Sequence, residues 1–124
     1  MSGGRLPDLV SGEKSFPLGA TVTVTVDRPL GSLHPDVPSL RYPVNYGFIA
    51  GIMAPDGEEQ DAYILGVSTP CRTFTGKVIA IVRRRDDVEN KWVVAPPHLS
   101  LSREEIWRQI AFQERWFDAE LLLE

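Results

Sequence analysis

Tyr42-Pro-Val-Asn-Tyr-Gly-Phe-Ile49 decides the fold of this chain, together with Asp56-Gly-Glu-Glu-Gln-Asp61, which follows it closely. The first stretch predicts a strand with an inward-facing Tyr-Gly pair, and the second predicts a turn crowded with carboxylates. Asp56, Glu58 and Asp61 supply oxygen atoms of the kind that hard divalent cations bind. The turn is therefore a candidate metal site, although acidic turns also form simply because Asp and Gly favour turns and water.

Further strands are predicted on both sides of this unit. Residues 21–26 are all β-branched, and polar threonines alternate with apolar valines. Residues 77–82 form a continuous apolar run that predicts a second strand. A charged hairpin loop over 83–90 then leads into a returning strand over 91–95. Ser102 and Glu105 form a capping box, after which Ile106, Ile110, Phe117 and Leu121 follow at helical spacing. About five short strands with tight turns and one C-terminal helix predict a mainly β fold, a small closed or nearly closed barrel.

Length and composition set the remaining limits. A length of 124 residues predicts one domain, here over 20–124. Residues 1–19 are rich in Gly, Pro and polar side chains, which predicts a loosely ordered segment. A net charge of −4 argues against nucleic-acid binding, and the apolar runs are too short to cross a membrane. The single cysteine, Cys71, cannot form an internal disulfide, so a reducing cytoplasm is the expected location.

Charged residues gather at a second strand end. Asp86, Asp87 and Glu89 lie there, and if the strands share a barrel this group and the first acidic turn face one mouth. Crowded carboxylates repel one another, and Mg²⁺ would relieve that repulsion. The flanking basic residues suit a phosphate ligand held opposite the metal, or they belong to a solvated charged hairpin; they are Arg83, Arg84, Arg85 and Lys91.

The chain resembles the soluble family I inorganic pyrophosphatases. The resemblance is most specific over residues 42–65, and 76–81, 91–96 and the final helix support it. It implies a five-stranded barrel of OB type with an outer helix, and Mg²⁺-dependent hydrolysis of a small-molecule substrate, inorganic pyrophosphate. An alternative keeps the metal but changes the substrate to another small phosphate compound. A third possibility is a noncatalytic descendant that binds phosphate ligands or a protein partner.

The resemblance also implies roles for individual residues. Glu58 takes the place of the aspartate that assists the attacking water, Tyr46 matches an active-site tyrosine, and Lys91 matches the lysine after the second acidic loop. The expected catalytic residues are thus Glu58, Tyr46 and Lys91. The expected substrate ligands are Arg83, Arg84, Arg85, Lys91 and Tyr46. The expected metal ligands are Asp56, Asp61, Asp86, Asp87 and Glu89.

Several phosphate-binding positions depart from the family pattern. The lysine of the early strand falls near Thr23, and the Tyr-Lys pair of the helix falls on Trp116 and Phe117. The loop arginine has no certain counterpart, with His34 and Arg41 as the nearest candidates. The large aromatic side chains either fill the core or, with the leucines at the C-terminus, pack against a second copy in a homo-oligomer.

Overall fold

The computed structural model of the protein describes residues 17–85 and 89–123, so the predicted N-terminal segment lies almost wholly outside the described residues. Within these ranges the chain forms six strands and one helix. In chain order they are β1 (Thr21–Arg28), β2 (Asn45–Met53), β3 (Glu59–Ile64), β4 (Thr73–Arg84), β5 (Asn90–Ala95), α1 (Arg103–Glu114) and β6 (Ala119–Leu123).

The first five strands close into a barrel. β1 pairs with β2, β2 with β3, β3 with β5 and β5 with β4, and β4 returns to pair with β1. Every pairing is antiparallel except that between β3 and β5. The expected five-stranded OB-like barrel with a C-terminal helix is therefore confirmed.

The predicted Tyr-Gly pair lies where two strands approach closely. A Cβ atom on Gly47 would lie 1.9 Å from the backbone oxygen of Thr25 on β1, so only glycine fits this register. Tyr46 beside it is buried against the barrel interior, where its ring lies 4.9 Å from that of Tyr63. The Tyr-Gly pair thus sets the distance between β1 and β2 and lines the interior at the same time.

The long strand β4 has three neighbours. Its first half pairs with β1 from Thr73 to Lys77, and its second half pairs with β6 from Ala80 to Arg84. It also pairs with β5 along its other edge. β4 begins at Thr73, which pairs with Thr25 of β1.

The capping box and the first turns of α1 are confirmed, but the predicted length of the helix is wrong. The Ser102 side chain accepts from the Glu105 amide, and Ile106 and Ile110 are buried. The helix ends at Glu114, Phe117 lies in the following turn, and Leu121 belongs to β6. The physical reason is that the second half of β4 has an edge whose backbone groups require hydrogen-bond partners.

No helix among the described residues is long and apolar enough to cross a membrane.

Candidate active site

A cleft of about 530 Å³ opens at one end of the barrel. Its floor is polar, and one wall comes from the loop between β1 and β2. Another wall comes from the end of α1 and the turn after it. The floor includes Arg28, Tyr46, Asp61, Arg84 and Lys91, and the walls include His34, Val37, Leu40, Gln113, Trp116 and Phe117.

Lys91 joins two of the predicted acidic residues. Its Nζ donates to Asp61 Oδ2 at 2.9 Å and to Glu89 Oε2 at 2.6 Å. Asp61 is on β3, whereas Glu89 precedes β5 and Lys91 lies on it, so the parallel pairing of β3 with β5 brings them together. The expectation that the two acidic loops meet at one barrel mouth therefore holds for Asp61 and Glu89.

The electrostatics of this cluster keep Lys91 charged. Burial lowers the pKa of Lys91, but its interactions with Tyr46, Glu89 and Asp61 outweigh burial and raise the pKa above its ordinary value. Burial raises the pKa of Tyr46 well above its ordinary value, against the opposing effect of Lys91. Tyr46 therefore keeps its hydroxyl proton at neutral pH and can donate it to an anionic ligand.

Arg84 reaches the cleft floor from β4 as part of a buried ionic network. Its Nε and Nη2 donate to the two carboxylate oxygens of Glu114 at 3.0 and 2.9 Å, and its Nη1 donates to Glu89 at 2.8 Å. Burial lowers the pKa of Arg84, but the hydrogen bond with Glu114 and the charges of Glu114 and Glu89 raise it overall. The phenyl ring of Phe117 lies 3.6 Å from the Arg84 guanidinium carbon.

A relay of hydrogen bonds continues from this pair across the cleft. Glu114 accepts from the Tyr63 hydroxyl at 2.6 Å, and the Tyr63 hydroxyl accepts from Gln113 at 2.7 Å. Gln113 in turn accepts from Tyr42, whose hydroxyl accepts from Arg28 Nη1 at 2.9 Å. These bonds join the end of α1 to the cleft floor. They therefore hold the guanidinium groups of Arg28 and Arg84 in place before any ligand binds.

Sequence reasoning missed Asp27 and Arg28 as site residues. Both line the cleft, at the end of β1. The available signal was their position directly after the alternating strand, where side chains project at the barrel mouth. Burial, with a smaller contribution from Asp61, raises the pKa of Asp27, although Arg28 opposes this. Arg28, rather than Arg41, supplies a guanidinium here, because Arg41 is exposed and bonds to the Gly31 carbonyl.

The acidic turn borders a smaller depression next to the cleft. Glu58 and Glu59 line it together with Asp27 and Asp61. Asp56 is exposed, and its Oδ1 accepts from the backbone amide of Glu58 at 2.9 Å. Predicted ligands Asp86 and Asp87 lie outside the described residues.

The predicted metal ligands suit a divalent cation in their chemistry. All predicted ligands are carboxylates, which is the chemistry that Mg²⁺ prefers. Among residues 17–85 and 89–123, however, no group of three or more His, Cys, Asp and Glu side chains is arranged to hold a metal. The oxygen donors of Asp61 and Glu89 therefore fit such an ion in kind, and the described part of the chain does not complete a ligand set.

Arg83 and Arg85, which flank Arg84 in the sequence, point away from the cleft. Arg83 pairs with Glu120 of β6, and Arg85 bonds Asp118 at 2.5 Å. Successive residues of a strand face opposite sides, which is why Arg84 alone turns inward. Arg83 and Arg85 border a separate depression with Glu89, so the structure does not place them with Lys91 and Tyr46.

The replaced phosphate-binding positions fall in two places. Trp116 and Phe117 line the cleft, whereas Thr23 is exposed on β1 and its hydroxyl bonds Thr75 at 2.7 Å. Burial raises the pKa of the Cys71 thiol, which lies outside the cleft lining and is therefore a poor nucleophile. The aromatic pair is thus at the site, and the threonine is not.

The chain is similar to bacterial inorganic pyrophosphatases in sequence. It is 26% identical over 103 residues to "Inorganic pyrophosphatase" of Campylobacter jejuni, covering 75% of this chain and 58% of that protein. It is 30% identical over 105 residues to "Inorganic pyrophosphatase" of Gluconobacter oxydans, covering 77% and 59% respectively. The chain therefore spans less than two thirds of the length of these relatives. No protein-family model matches it.

Solved structures agree with the fold. An inorganic pyrophosphatase from Ehrlichia chaffeensis superposes with a TM-score of 0.66 at 14% identity, covering 86% of this chain and 87% of that one. One from Coxiella burnetii gives a TM-score of 0.59 at 17% identity, with coverages of 83% and 84%. Fold and cleft define a small OB-like barrel with a charged mouth. The sequence relatives agree with the resemblance, since over 75–77% of its length the chain is similar to proteins named inorganic pyrophosphatase.

Proposed function

We propose that the protein hydrolyses inorganic pyrophosphate to two phosphates with the help of Mg²⁺. The observation that carries the proposal is the bridge from Lys91 to Asp61 and Glu89 on the floor of a cleft that Arg28 and Arg84 also line. Acidic and basic groups thus meet in one concave site, as a metal-assisted reaction of a phosphate compound requires. The similarity to named inorganic pyrophosphatases supports the same substrate.

Three cationic side chains would bind the phosphate groups. Arg28, Arg84 and Lys91 all lie at the floor, and the hydrogen bonds described above hold each of them. Hydrogen bonds to charged groups contribute about 1.5–3 kcal/mol each. These residues therefore offset the loss of the family's lysines at Thr23 and Phe117. Arg83 and Arg85 face outward and pair with acidic residues at the surface, so the proposed phosphate ligands do not include them.

The carboxylates would hold the metal. Asp56, Asp61, Asp86, Asp87 and Glu89 are the proposed ligands, and Asp61 is the most rigidly placed because it lies within β3. When bound, Mg²⁺ lowers the pKa of water and neutralises phosphate charge. Asp61 and Glu89 are already neutralised in part by Lys91, which keeps them close together without requiring an ion first.

The reaction is an in-line displacement of phosphate by water. The water oxygen forms a bond to one phosphorus, the bond from that phosphorus to the bridging oxygen breaks, and Glu58 accepts the water proton. Lys91, Arg28 and the protonated Tyr46 stabilise the charge that accumulates on the departing phosphate. Glu58 is proposed for this role because it lines the depression that also includes Asp61, a proposed metal ligand.

A second candidate is supported by the aromatic wall. Trp116 and Phe117 replace a Tyr-Lys pair and line the cleft, which favours a small phosphate compound other than pyrophosphate as ligand or substrate. A noncatalytic descendant that binds phosphate ligands or a protein partner is the third alternative. Localisation in the cytoplasm, proposed from the lone Cys71, and assembly into a homo-oligomer, proposed from the leucines at the C-terminus, accompany all three.

Phosphate release by the purified protein separates these candidates. The protein is mixed with pyrophosphate in magnesium chloride and, in parallel, in excess chelator, and a phosphomonoester such as phenyl phosphate serves as the substrate control. We expect magnesium-dependent release from pyrophosphate and little release from the monoester. Release from the monoester alone would favour the second candidate, and release from neither would favour a noncatalytic protein.

A further inference from the structure

The cleft contains an apolar surface that pyrophosphate cannot use. Trp116 is 69% exposed, Val37 43% and Phe117 37%, and all three line the same cavity as the charged floor. Pyrophosphate carries only oxygen atoms on its surface and would leave these side chains in contact with water. Exposed large apolar groups gathered at one site mark a binding surface more often than scattered single ones do.

The charged floor and the apolar wall belong to one cavity. Its volume of about 530 Å³ lies within the range of about 300–1,000 Å³ typical of small-molecule sites. Such sites combine apolar walls with a few polar groups that orient the ligand. Arg84 connects the two parts, because its guanidinium belongs to the charged floor and also stacks on Phe117 of the apolar wall. The guanidinium carbon lies 3.6 Å from the centre of the Phe117 ring.

Trp116 is positioned as a platform for a planar group. It lies just beyond the last turn of α1, and the guanidinium carbon of Arg115 is 4.9 Å from the centre of its ring. That contact orients the indole while most of its surface stays exposed. Trp116 is also absent from the two buried clusters that form the barrel core, so its exposure serves no packing role in the described fold.

We propose that this cleft binds diphosphate compounds that carry a planar aromatic group, as a nucleoside diphosphate does. The diphosphate would lie on the floor formed by Arg28, Arg84 and Lys91, and the aromatic group would stack on Trp116. This inference rests on the phosphate-binding floor of the proposed function but not on turnover. Stacking of a base on an aromatic side chain is tolerant of base identity, so the site would distinguish aromatic from non-aromatic diphosphates rather than one base from another.

Titration calorimetry with two ligands isolates the aromatic contribution. ADP and methyl diphosphate are each titrated into the wild-type protein in magnesium chloride, and both titrations are repeated with Trp116→Ala. Leu33→Ala is the control, because Leu33 is also an exposed apolar residue, at 51%, but does not line the cleft. We expect ADP to bind about tenfold more tightly than methyl diphosphate, as one stacked base would provide.

The variants decide whether Trp116 is responsible. Trp116→Ala should remove the advantage of ADP and leave the affinity for methyl diphosphate within about twofold, while Leu33→Ala should change neither. Equal affinities of the two ligands for the wild type would overturn the proposal, as would an equal loss of both in Trp116→Ala. A third result would also overturn the proposal: the wild type is a dimer, Trp116→Ala is a monomer, and both bind ADP equally well. That result would show that a second copy of the chain covers the aromatic wall.

The outcomes also separate this inference from the proposed function. Pyrophosphate hydrolysis without preferential ADP binding would reject the aromatic subsite alone. Preferential ADP binding without pyrophosphate hydrolysis would reject the proposed reaction alone, since calorimetry requires no turnover.

Discussion

Arg84 and Glu114 form a buried, two-pronged ion pair that joins strand β4 to helix α1 beneath the cleft. Two guanidinium nitrogens of Arg84 lie 3.0 and 2.9 Å from the two carboxylate oxygens of Glu114, and both side chains are buried. The Tyr63 hydroxyl donates a third hydrogen bond to Glu114 at 2.6 Å. The pair therefore fixes the helix end, and with it the aromatic wall, relative to the charged floor.

Arg84→Met should destabilise the protein strongly. Removing one partner of a buried ion pair leaves the other charge uncompensated, which typically costs about 3–5 kcal/mol. Urea unfolding measures the loss, and the double variant Arg84→Met with Glu114→Gln should recover part of it because no buried charge remains unpaired.

Arg83→Ala is the matched control for that experiment. Arg83 lies next to Arg84 on the same strand but is exposed, and it pairs with Glu120 at the surface. Exposed pairs contribute about 0–1 kcal/mol, so its unfolding midpoint should hardly change. Similar losses of stability in Arg83→Ala and Arg84→Met would contradict the different burial of the two residues.

Lys91→Met should create a protein whose stability depends on magnesium. Without the ammonium group, Asp61 and Glu89 repel each other, and a divalent cation would replace the missing positive charge. We expect a lower melting temperature in chelator, a larger rise on adding magnesium chloride than in the wild type, and loss of pyrophosphate turnover. Arg108→Met removes an exposed cation from α1 and should show none of these effects.

Asp27→Asn should stabilise the metal-free protein at neutral pH. Because burial raises the pKa of Asp27, the folded state favours the neutral carboxyl, and ionisation at higher pH costs stability. Wild-type stability from this group is fully present at low pH and declines as pH rises through the range where Asp27 ionises. The melting temperature of Asp27→Asn should therefore exceed that of the wild type at pH 7, and the gap should shrink below about pH 4. A melting-temperature gap that widens on acidification would contradict the raised pKa of Asp27; Asp36→Asn, a second exposed carboxylate of the same cleft, is the control.

Glu58→Asp tests whether the site is adapted to the longer carboxylate. Shortening the side chain moves its oxygen atoms by about one carbon–carbon bond, and a misplacement near 1 Å can cost roughly 10²-fold in rate. Turnover of pyrophosphate should therefore fall, although aspartate is the residue that the family resemblance places here. An increase in turnover would instead indicate a decayed centre that the family's aspartate repairs.

Local patterns in the sequence predicted much of the barrel. The alternation over 21–26, the apolar run over 77–82 and the Tyr-Gly pair at Tyr46 and Gly47 each correspond to an observed strand. These signals are local, because alternate residues of a strand face opposite sides of the sheet. The order of polar and apolar residues in a short segment therefore indicates which face is buried. The last strand was missed, since Leu121 continues the helical spacing and its true partner, Val82, is remote in sequence.

The site was predicted less completely for a related reason. Asp61, Lys91 and Glu89 carry the family pattern and do meet in the structure, whereas Arg28 and Glu114 act through partners far away along the chain. Glu114 offered one signal: it follows Ile110 by four residues and so continues the buried face of the helix. A carboxylate on that face requires a cation, but only the fold identifies the cation as Arg84.

Magnesium-dependent phosphate release by Asp61→Asn shows whether Asp61 is needed for metal-assisted hydrolysis of pyrophosphate. Asparagine keeps the size of the side chain and one oxygen but removes the charge that pairs with Lys91 and would hold the metal. The variant is compared with wild type and with Glu104→Gln, an exposed carboxylate on α1, after circular dichroism has verified the fold. We expect Asp61→Asn to lose magnesium binding and at least about 10²-fold in pyrophosphate turnover, while Glu104→Gln matches the wild type. Turnover and magnesium affinity equal to those of the wild type in Asp61→Asn would show that Asp61 does not hold the metal.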